Sequence, residues 1–256
     1  MPDSHRLQIS RQGHVVTLLF ERTPHNYVNP ALVGDLADAL AALDDDRACR
    51  AVVLASAGKN FCAGADFGGE PSAGGRVDPQ ALYQQAMRLF DNRKPLVAAL
   101  QGAAVGAGAG LALVADFRVA SHDCRIAFNF NRIGIHPGFG LTHTLPRLIG
   151  PQQASLLFYT GRRITAEQAL AIGLVDELAA PEHALARAQA LAADIAASSP
   201  LAVQSTRASL RQGLAEQVRA TNRHEWSQQQ GHFQSLDFQE GVRAMAERRL
   251  PTFQGH

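Results

Sequence analysis

Polar and apolar positions alternate at the start of the chain, and the period then changes several times. Leu7-Gln8-Ile9-Ser10 and the stretch His14 to Phe20 read as two strands, with Gln12-Gly13 turning between them. After a loop, Arg22 to Asn29, that carries Pro24, His25 and Asn26, Asn29-Pro30 has the form of an N-cap with proline at the first helical position. Leu32, Leu36, Leu40 and Leu43 recur at helical spacing, which predicts an amphipathic helix ending near Asp44. Ala51 to Ala55 is apolar throughout, as a strand buried on both faces would be. Gly68 to Asp78, rich in Gly, Pro and Ser, reads as a mobile loop, and Ala81 to Asn92 as a helix.

The most informative stretch runs from Lys94 to Asp116. Pro95 opens the apolar run Leu96 to Leu100, short enough for a buried strand. Gly102, Gly106, Gly108 and Gly110 follow, at a tight turn and along a small-residue helix. Glycine inside a helix costs roughly 1 kcal/mol against alanine, so four of them need a reason. Two reasons fit: close packing of a small-residue helix on a sheet, or a backbone whose free N–H groups receive a negatively charged oxygen. Leu96 to Ala115 is twenty residues with only Gln101 polar. It is mostly Ala and Gly and lacks flanking aromatic belts, so it does not read as a membrane span. A nucleotide loop is not supported, because no third glycine completes GxGxxG and no Gly-Lys-Ser/Thr occurs. Ala57 to Phe67, where small residues flank Gly64 after a strand, is a second backbone-lined candidate.

Further on, Phe117 to Ala120 and Arg125 to Phe128 read as short strands, and Ile133 to Gly140 as a second glycine-rich turn. Leu141 to Ile149, Gln152 to Tyr159 and Thr165 to Ala171 are helical in pattern, the last with a Thr165-x-x-Gln168 capping box. Leu174 to Leu178 reads as a strand, and beyond it the pattern is helical only. Ser199-Pro200 opens a helix with Val203, Leu210 and Leu214 on one face, and Asp237-x-x-Glu240 caps the last helix. The change of pattern divides the chain into an α/β core, residues 1–195, and a helical region, residues 196–256.

Composition narrows the function classes. A chain of 256 residues with 46% hydrophobic and 18% charged residues suits one large α/β domain or one domain with an appendage. The net charge is +1, without a basic block or acidic tail, so neither a nucleic-acid partner nor a membrane partner is expected. Cys49, Cys62 and Cys124 have neither disulfide nor zinc spacing, so no metal is expected. The first twenty residues lack a signal-peptide layout, and the expected location is cytoplasmic.

Four stretches then stand in one order along nearly the whole chain. They are Lys59-Asn60-Phe61-Cys62-Ala63-Gly64-Ala65-Asp66-Phe67; Lys94-Pro95 through Asp116; Ile133-Gly134-Ile135-His136-Pro137-Gly138 through Gly150, with Thr160 to Ala166; and Asp237-Phe238-Gln239-Glu240-Gly241 through Phe253. Together they resemble the signatures of the crotonase superfamily, the enoyl-CoA hydratase/isomerase group. The resemblance implies a crotonase-like repeated ββα superhelix of two sheets, followed by a C-terminal helical region that trimerises into a homotrimer or hexamer. It implies an acyl-CoA thioester as substrate, with coenzyme A arriving as part of the substrate and no separate cofactor. It also implies an oxyanion hole for a thioester enolate, made by the backbone N–H groups of Ala65 and Ala107. Ala63, Asp66, Phe67, Phe130 and Phe253 are the implied substrate and CoA contacts, with Phe253 at the adenine; Gln254 stands where lysine is common.

The chain departs from that pattern where the chemistry is decided. The family's hydratases carry two glutamates, at the positions matching Gly110 and Phe130, and Gly138 stands where some relatives carry a further carboxylate. A positioned acid or base supplies about 10²–10⁴ in rate. The expectation is therefore isomerisation, decarboxylation or C–C cleavage rather than hydration, in a roomier and more apolar acyl pocket. His136 is the candidate proton carrier, with His143 and His25 behind it. Asp66 reads as a helix cap, Glu70 and Asp78 as loop residues able to swing inward, and Cys62 as packing. The competing expectations are a catalytically silent CoA-thioester binder and a β-diketone hydrolase using His25 and His136.

Overall fold

Alternation at the start of the chain becomes a hairpin: β1 (Arg6–Gln12) and β2 (Val15–Glu21) pair antiparallel across Gly13. The computed structural model describes residues 5–65 and 77–256. α1 (Pro30–Asp45) begins as its sequence predicts, with Asn29 Oδ1 accepting from the Leu32 N–H at 2.9 Å and Leu32, Leu36, Leu40 and Leu43 buried. β3 (Ala51–Ser56) is buried along its whole length. α2 (Pro79–Arg88) starts earlier than its apolar pattern suggests, because Asp78 is its N-cap. The Asp78 carboxylate accepts from the Gln80 and Ala81 N–H groups and is thereby held at the helix start rather than in a swinging loop. Glu70 and the rest of the expected loop through residue 76 lie outside the described residues.

Then come β4 (Leu96–Leu100), β5 (Ala103–Val105), α3 (Ala107–Ala112), β6 (Phe117–Ser121) and β7 (Arg125–Ala127). α4 (Leu141–Thr160) is broken at Gly150, as its two helical segments predict. β8 (Arg163–Thr165) is too short to carry a pattern of its own and forms by pairing antiparallel with β7. The Thr165 capping box opens α5 (Ala166–Ala171). The next strand, β9 (Glu177–Ala179), sits later than its apolar signal. Leu174 and Val175 are buried in the turn after α5, where both N–H groups bond to the Ala169 carbonyl.

β1-β2-β3-β4-β6-β9 form one six-stranded sheet, parallel except for β1, and β5-β7-β8 form a smaller second sheet. Strand alternation gives the large sheet two apolar faces. Val16, Leu18, Phe20, Val52 and Leu54 join the main core, whereas Val15, Val53, Val97 and Val119 face α6 (Ala184–Ala197). Ala184, Ala188, Ala192 and Ala196 make the buried stripe of α6, small residues that let the helix lie close to the strands.

Only helices follow. α7 (Pro200–Leu210) ends four residues before Leu214, so Val203, Leu210 and Leu214 do not share one helical face. The turn at Gly213 separates them; Leu210 is 70% exposed, and Leu214 begins α8 (Leu214–His232). α9 (Leu236–Ala246) is capped by Ser235 rather than by Asp237. The Asp237 carboxylate instead accepts from the Gln254 and Gly255 N–H groups and folds the C-terminal tail back. No helix among the described residues is long and apolar enough to cross a membrane.

Candidate active site

Two chain segments lie side by side beyond the ends of β3 and β4. Cys62 bridges Ala104 in parallel: its N–H donates to Ala103 O at 2.9 Å, and its carbonyl accepts from the Val105 N–H at 3.0 Å. Asn60 Oδ1 steadies the second segment by accepting from the Ala103 N–H at 3.0 Å. On the other side, Ala63 N–H donates to His25 O at 3.0 Å, and Gly64 O accepts from the Val28 N–H at 2.8 Å. Gly106, at φ 54°, turns the chain from β5 into α3, so that Ala107 opens the helix. Gly108 has to be glycine, because a β-carbon there would be driven into the Cys62 carbonyl and stand 2.7 Å from its Sγ. Among the described residues the N–H groups of Ala65 and Ala107 have no hydrogen-bond acceptor. Burial pushes the Cys62 thiol up to about 12, which keeps it protonated and in a packing role.

α3 meets the glycine-rich turn before α4 at Gly110. A β-carbon on Gly110 would stand 2.7 Å from the Phe139 ring, so the space beside this residue is filled. The expectation of a roomier pocket fails at this point, because an aromatic ring occupies the volume a longer side chain at 110 would need. Phe130, 2% exposed in a 3₁₀ turn (Asn129–Ile133), lies near Gly106. Gly138 in turn is pressed by the Tyr83 hydroxyl and by Gln229 Nε2.

His136 sits on the same turn, and it bonds to that turn and to α8. Its Nδ1 lies 2.7 Å from Pro137 O, its N–H donates to His232 Nδ1 at 3.1 Å, and its carbonyl accepts from Gln229 Nε2 at 2.6 Å. The His224 ring stands edge-on to it at 6.1 Å. His25 is exposed and stacks edge-on with Tyr27, and His143 lies on α4 with its pKa lowered by burial and then by Arg147. Phe253 is 39% exposed near the end of the chain. Asp66 and Phe67 lie outside the described residues.

Four residues near this centre carry no local sequence signal: Phe139, Tyr83, Gln229 and Glu225. The last is fully buried on α8, where its carboxylate accepts from the Gly140 N–H at 2.7 Å and the Thr142 N–H at 2.8 Å, capping α4. Burial raises its pKa and these hydrogen bonds oppose the rise. Each of the four matters through a partner far along the chain, which a local spacing cannot encode.

The family model for enoyl-CoA hydratase/isomerase matches residues 10–256. The chain belongs to the enoyl-CoA hydratase/isomerase family. Among family members, a crotonyl-CoA hydratase of Syntrophomonas wolfei is 34% identical over 232 residues, covering 89% of this chain and 89% of the relative. A carnitinyl-CoA dehydratase of Salmonella arizonae is 31% identical, covering 99% of this chain and 100% of the relative. The crystal structure of an enoyl-CoA hydratase/isomerase from Pseudoalteromonas atlantica superposes with a TM-score of 0.86 at 28% identity, over 97% of this chain and 99% of the other. The two-sheet core with trailing helices is thus the family fold.

Proposed function

We propose that this chain processes an acyl-CoA thioester through an enolate whose oxygen is held by the backbone N–H groups of Ala65 and Ala107. The observation that carries this reading is the lateral pairing of Cys62 with Ala104, which brings the two small-residue segments together while neither N–H group has an acceptor among the described residues. A preorganised donor of this kind is worth about 10²–10³ in rate, and because it is main chain, alanine serves as well as glycine. The CoA would be carried along Ala63, Asp66 and Phe67, with Phe130 as an apolar wall and Phe253 at the adenine. Assembly into a homotrimer or hexamer is proposed to run through the C-terminal region, where Leu236, Met245 and Leu250 are exposed.

Gly110 and Phe130 supply no carboxylate, and Phe139 fills the place beside Gly110. We therefore assign the chain an isomerisation, decarboxylation or C–C cleavage rather than rapid hydration, since these pass through the same enolate. His136 is the proposed proton carrier, through Nε2, because Nδ1 faces the Pro137 carbonyl. The test is turnover of an acyl-CoA panel in D₂O, scoring deuterium at the α carbon of the product by mass spectrometry. Deuterium incorporation supports the enolate. Tight thioester binding without turnover would favour a silent binder, and hydration of crotonyl-CoA at an ordinary hydratase rate would sink the non-hydratase reading.

A further inference from the structure

A recess of about 610 Å³ opens at the N-terminal ends of β4 and β6, where Pro95, Asp116 and Phe117 line it beside α7. The paired segments around Cys62 and Ala104 lie beyond the opposite, C-terminal end of β4. A five-residue strand separates the two ends by roughly 16 Å, so this recess is not the proposed acyl site.

Its walls are apolar, made by Leu113, Phe117, Ile195 and Val203, but three guanidinium groups line it: Arg147, Arg207 and Arg211. One carboxylate faces them. Asp116 accepts from the Leu96 N–H at 2.9 Å, from Arg207 Nε at 2.7 Å and from Arg211 at 3.0 Å. Arg207 is further committed to the Asn92 carbonyl and side chain at 2.6 and 2.7 Å, and the terminal nitrogens of Arg211 reach the Val114 carbonyl at the longer distances of 3.3 and 3.4 Å. Arg147 donates to the Leu210 carbonyl at 2.7 Å and has no carboxylate partner among the described residues. Burial and the neighbouring Arg207 charge pull the Arg211 pKa down, against the Asp116 charge and hydrogen bond, with the Arg147 charge adding to the fall. Three cations thus share one anion in a partly desolvated recess with greasy walls.

We propose that this recess binds an amphipathic monoanion, a carboxylate on an aliphatic chain. The head group would lie between Arg147 and Arg211 and the chain along Leu113, Ile195 and Val203. A planar guanidinium pairs a carboxylate through parallel hydrogen bonds, and a volume of this size falls in the range of small-molecule sites. A free acid of the same chain class as an acyl thioester would fit, which makes this a second ligand site apart from the proposed catalytic centre.

Calorimetric titration of the full chain with decanoate, below its micelle concentration, tests this, with decan-1-ol as the uncharged control. Saturable binding of one decanoate per chain is expected, weakened at least tenfold in Arg147→Met and in Val203→Trp, with acyl-CoA binding unchanged in both. Arg147 is exposed and bonds one backbone carbonyl, so Arg147→Met is expected to keep the wild-type thermal midpoint and carries the test if Val203→Trp fails to fold. Absent saturation, equal affinity for decan-1-ol, or decanoate affinity unchanged in both variants would overturn the proposal. Failure to bind decanoate, together with a changed oligomer mass of Arg147→Met by light scattering, would also overturn it and assign the recess to a subunit contact.

Discussion

The Phe139 ring stands where a side chain on Gly110 would have to go, with a β-carbon at 110 only 2.7 Å from it. Because cores are close-packed, Gly110→Ala is expected to cost about 1–3 kcal/mol through overpacking. Phe139→Ala alone is expected to cost about 3–5 kcal/mol. The double variant should cost clearly less than the sum, because the smaller residue at 139 admits the methyl at 110. Urea unfolding of the four proteins measures the coupling; simple additivity would mean that the two residues do not contact. The same contact implies that Gly110→Glu alone does not confer crotonyl-CoA hydration.

Gly108 keeps the two backbone segments of the site together. Gly108→Ala forces its β-carbon against the Cys62 carbonyl and moves one proposed donor away from the other. A loss of about 10²–10³ in kcat is expected, the worth of one oxyanion donor. Circular dichroism verifies that the variant is folded, and stopped-time thioester assays read the rate. Wild-type kcat in a folded Gly108→Ala protein would remove Ala107 from the mechanism.

Replacing His136 separates proton transfer from binding. His136→Gln is expected to lower kcat by about 10²–10⁴ with KM little changed. An unaltered kcat would leave His136 the task of holding the turn against His232 and Gln229.

Glu225 gives stability a pH dependence whose sign follows from burial. Its pKa is raised in the folded chain, chiefly by desolvation. Over the range between the ordinary glutamate value and the raised one, the native state holds a proton that the unfolded chain has lost. Unfolding free energy from this group is therefore fullest below the ordinary value and falls as pH rises through the raised one. Glu225→Gln should flatten that part of the curve. It should also destabilise the protein by about 1–3 kcal/mol, because an amide offers one acceptor oxygen where the carboxylate offers two to the N–H groups of Gly140 and Thr142. Denaturant midpoints across pH check both effects.

Phe253 is expected to act on the nucleotide end only. Phe253→Ala should weaken acyl-CoA binding by about 0.5–1.5 kcal/mol, the usual worth of an aromatic contact, while leaving turnover of a pantetheine thioester unchanged. Equal losses with both substrates would place Phe253 in folding rather than in adenine contact.

Features whose physics is local were legible in the sequence. Asn29 and Thr165 cap their helices because a side-chain oxygen needs only a donor three residues on. The Leu96 to Leu100 strand and the close approaches at Gly108 and Gly110 also showed, the first as an apolar run and the second as glycine where a helix disfavours it. Asp237 misled as a cap because an acidic residue at a helix start has the same signature whether it binds its own first turn or, as here, the tail at Gln254 and Gly255. Leu174 misled as a strand residue because burial in a turn leaves the same apolar letter as burial in a sheet. Phe139 opposite Gly110 and Glu225 beneath α4 were silent, since each depends on where two distant segments meet.

Asp116 fastens α7 to the foot of β4, and Glu225 fastens α8 to the start of α4. Every one of these attachments crosses from the last helices to the two-sheet body through side chains, and none depends on the peptide link at Ser198-Ser199 between α6 and α7. Two polypeptides that meet at Ser198-Ser199 keep all of these contacts without the peptide bond, which makes this a natural position at which to divide the chain for fragment complementation.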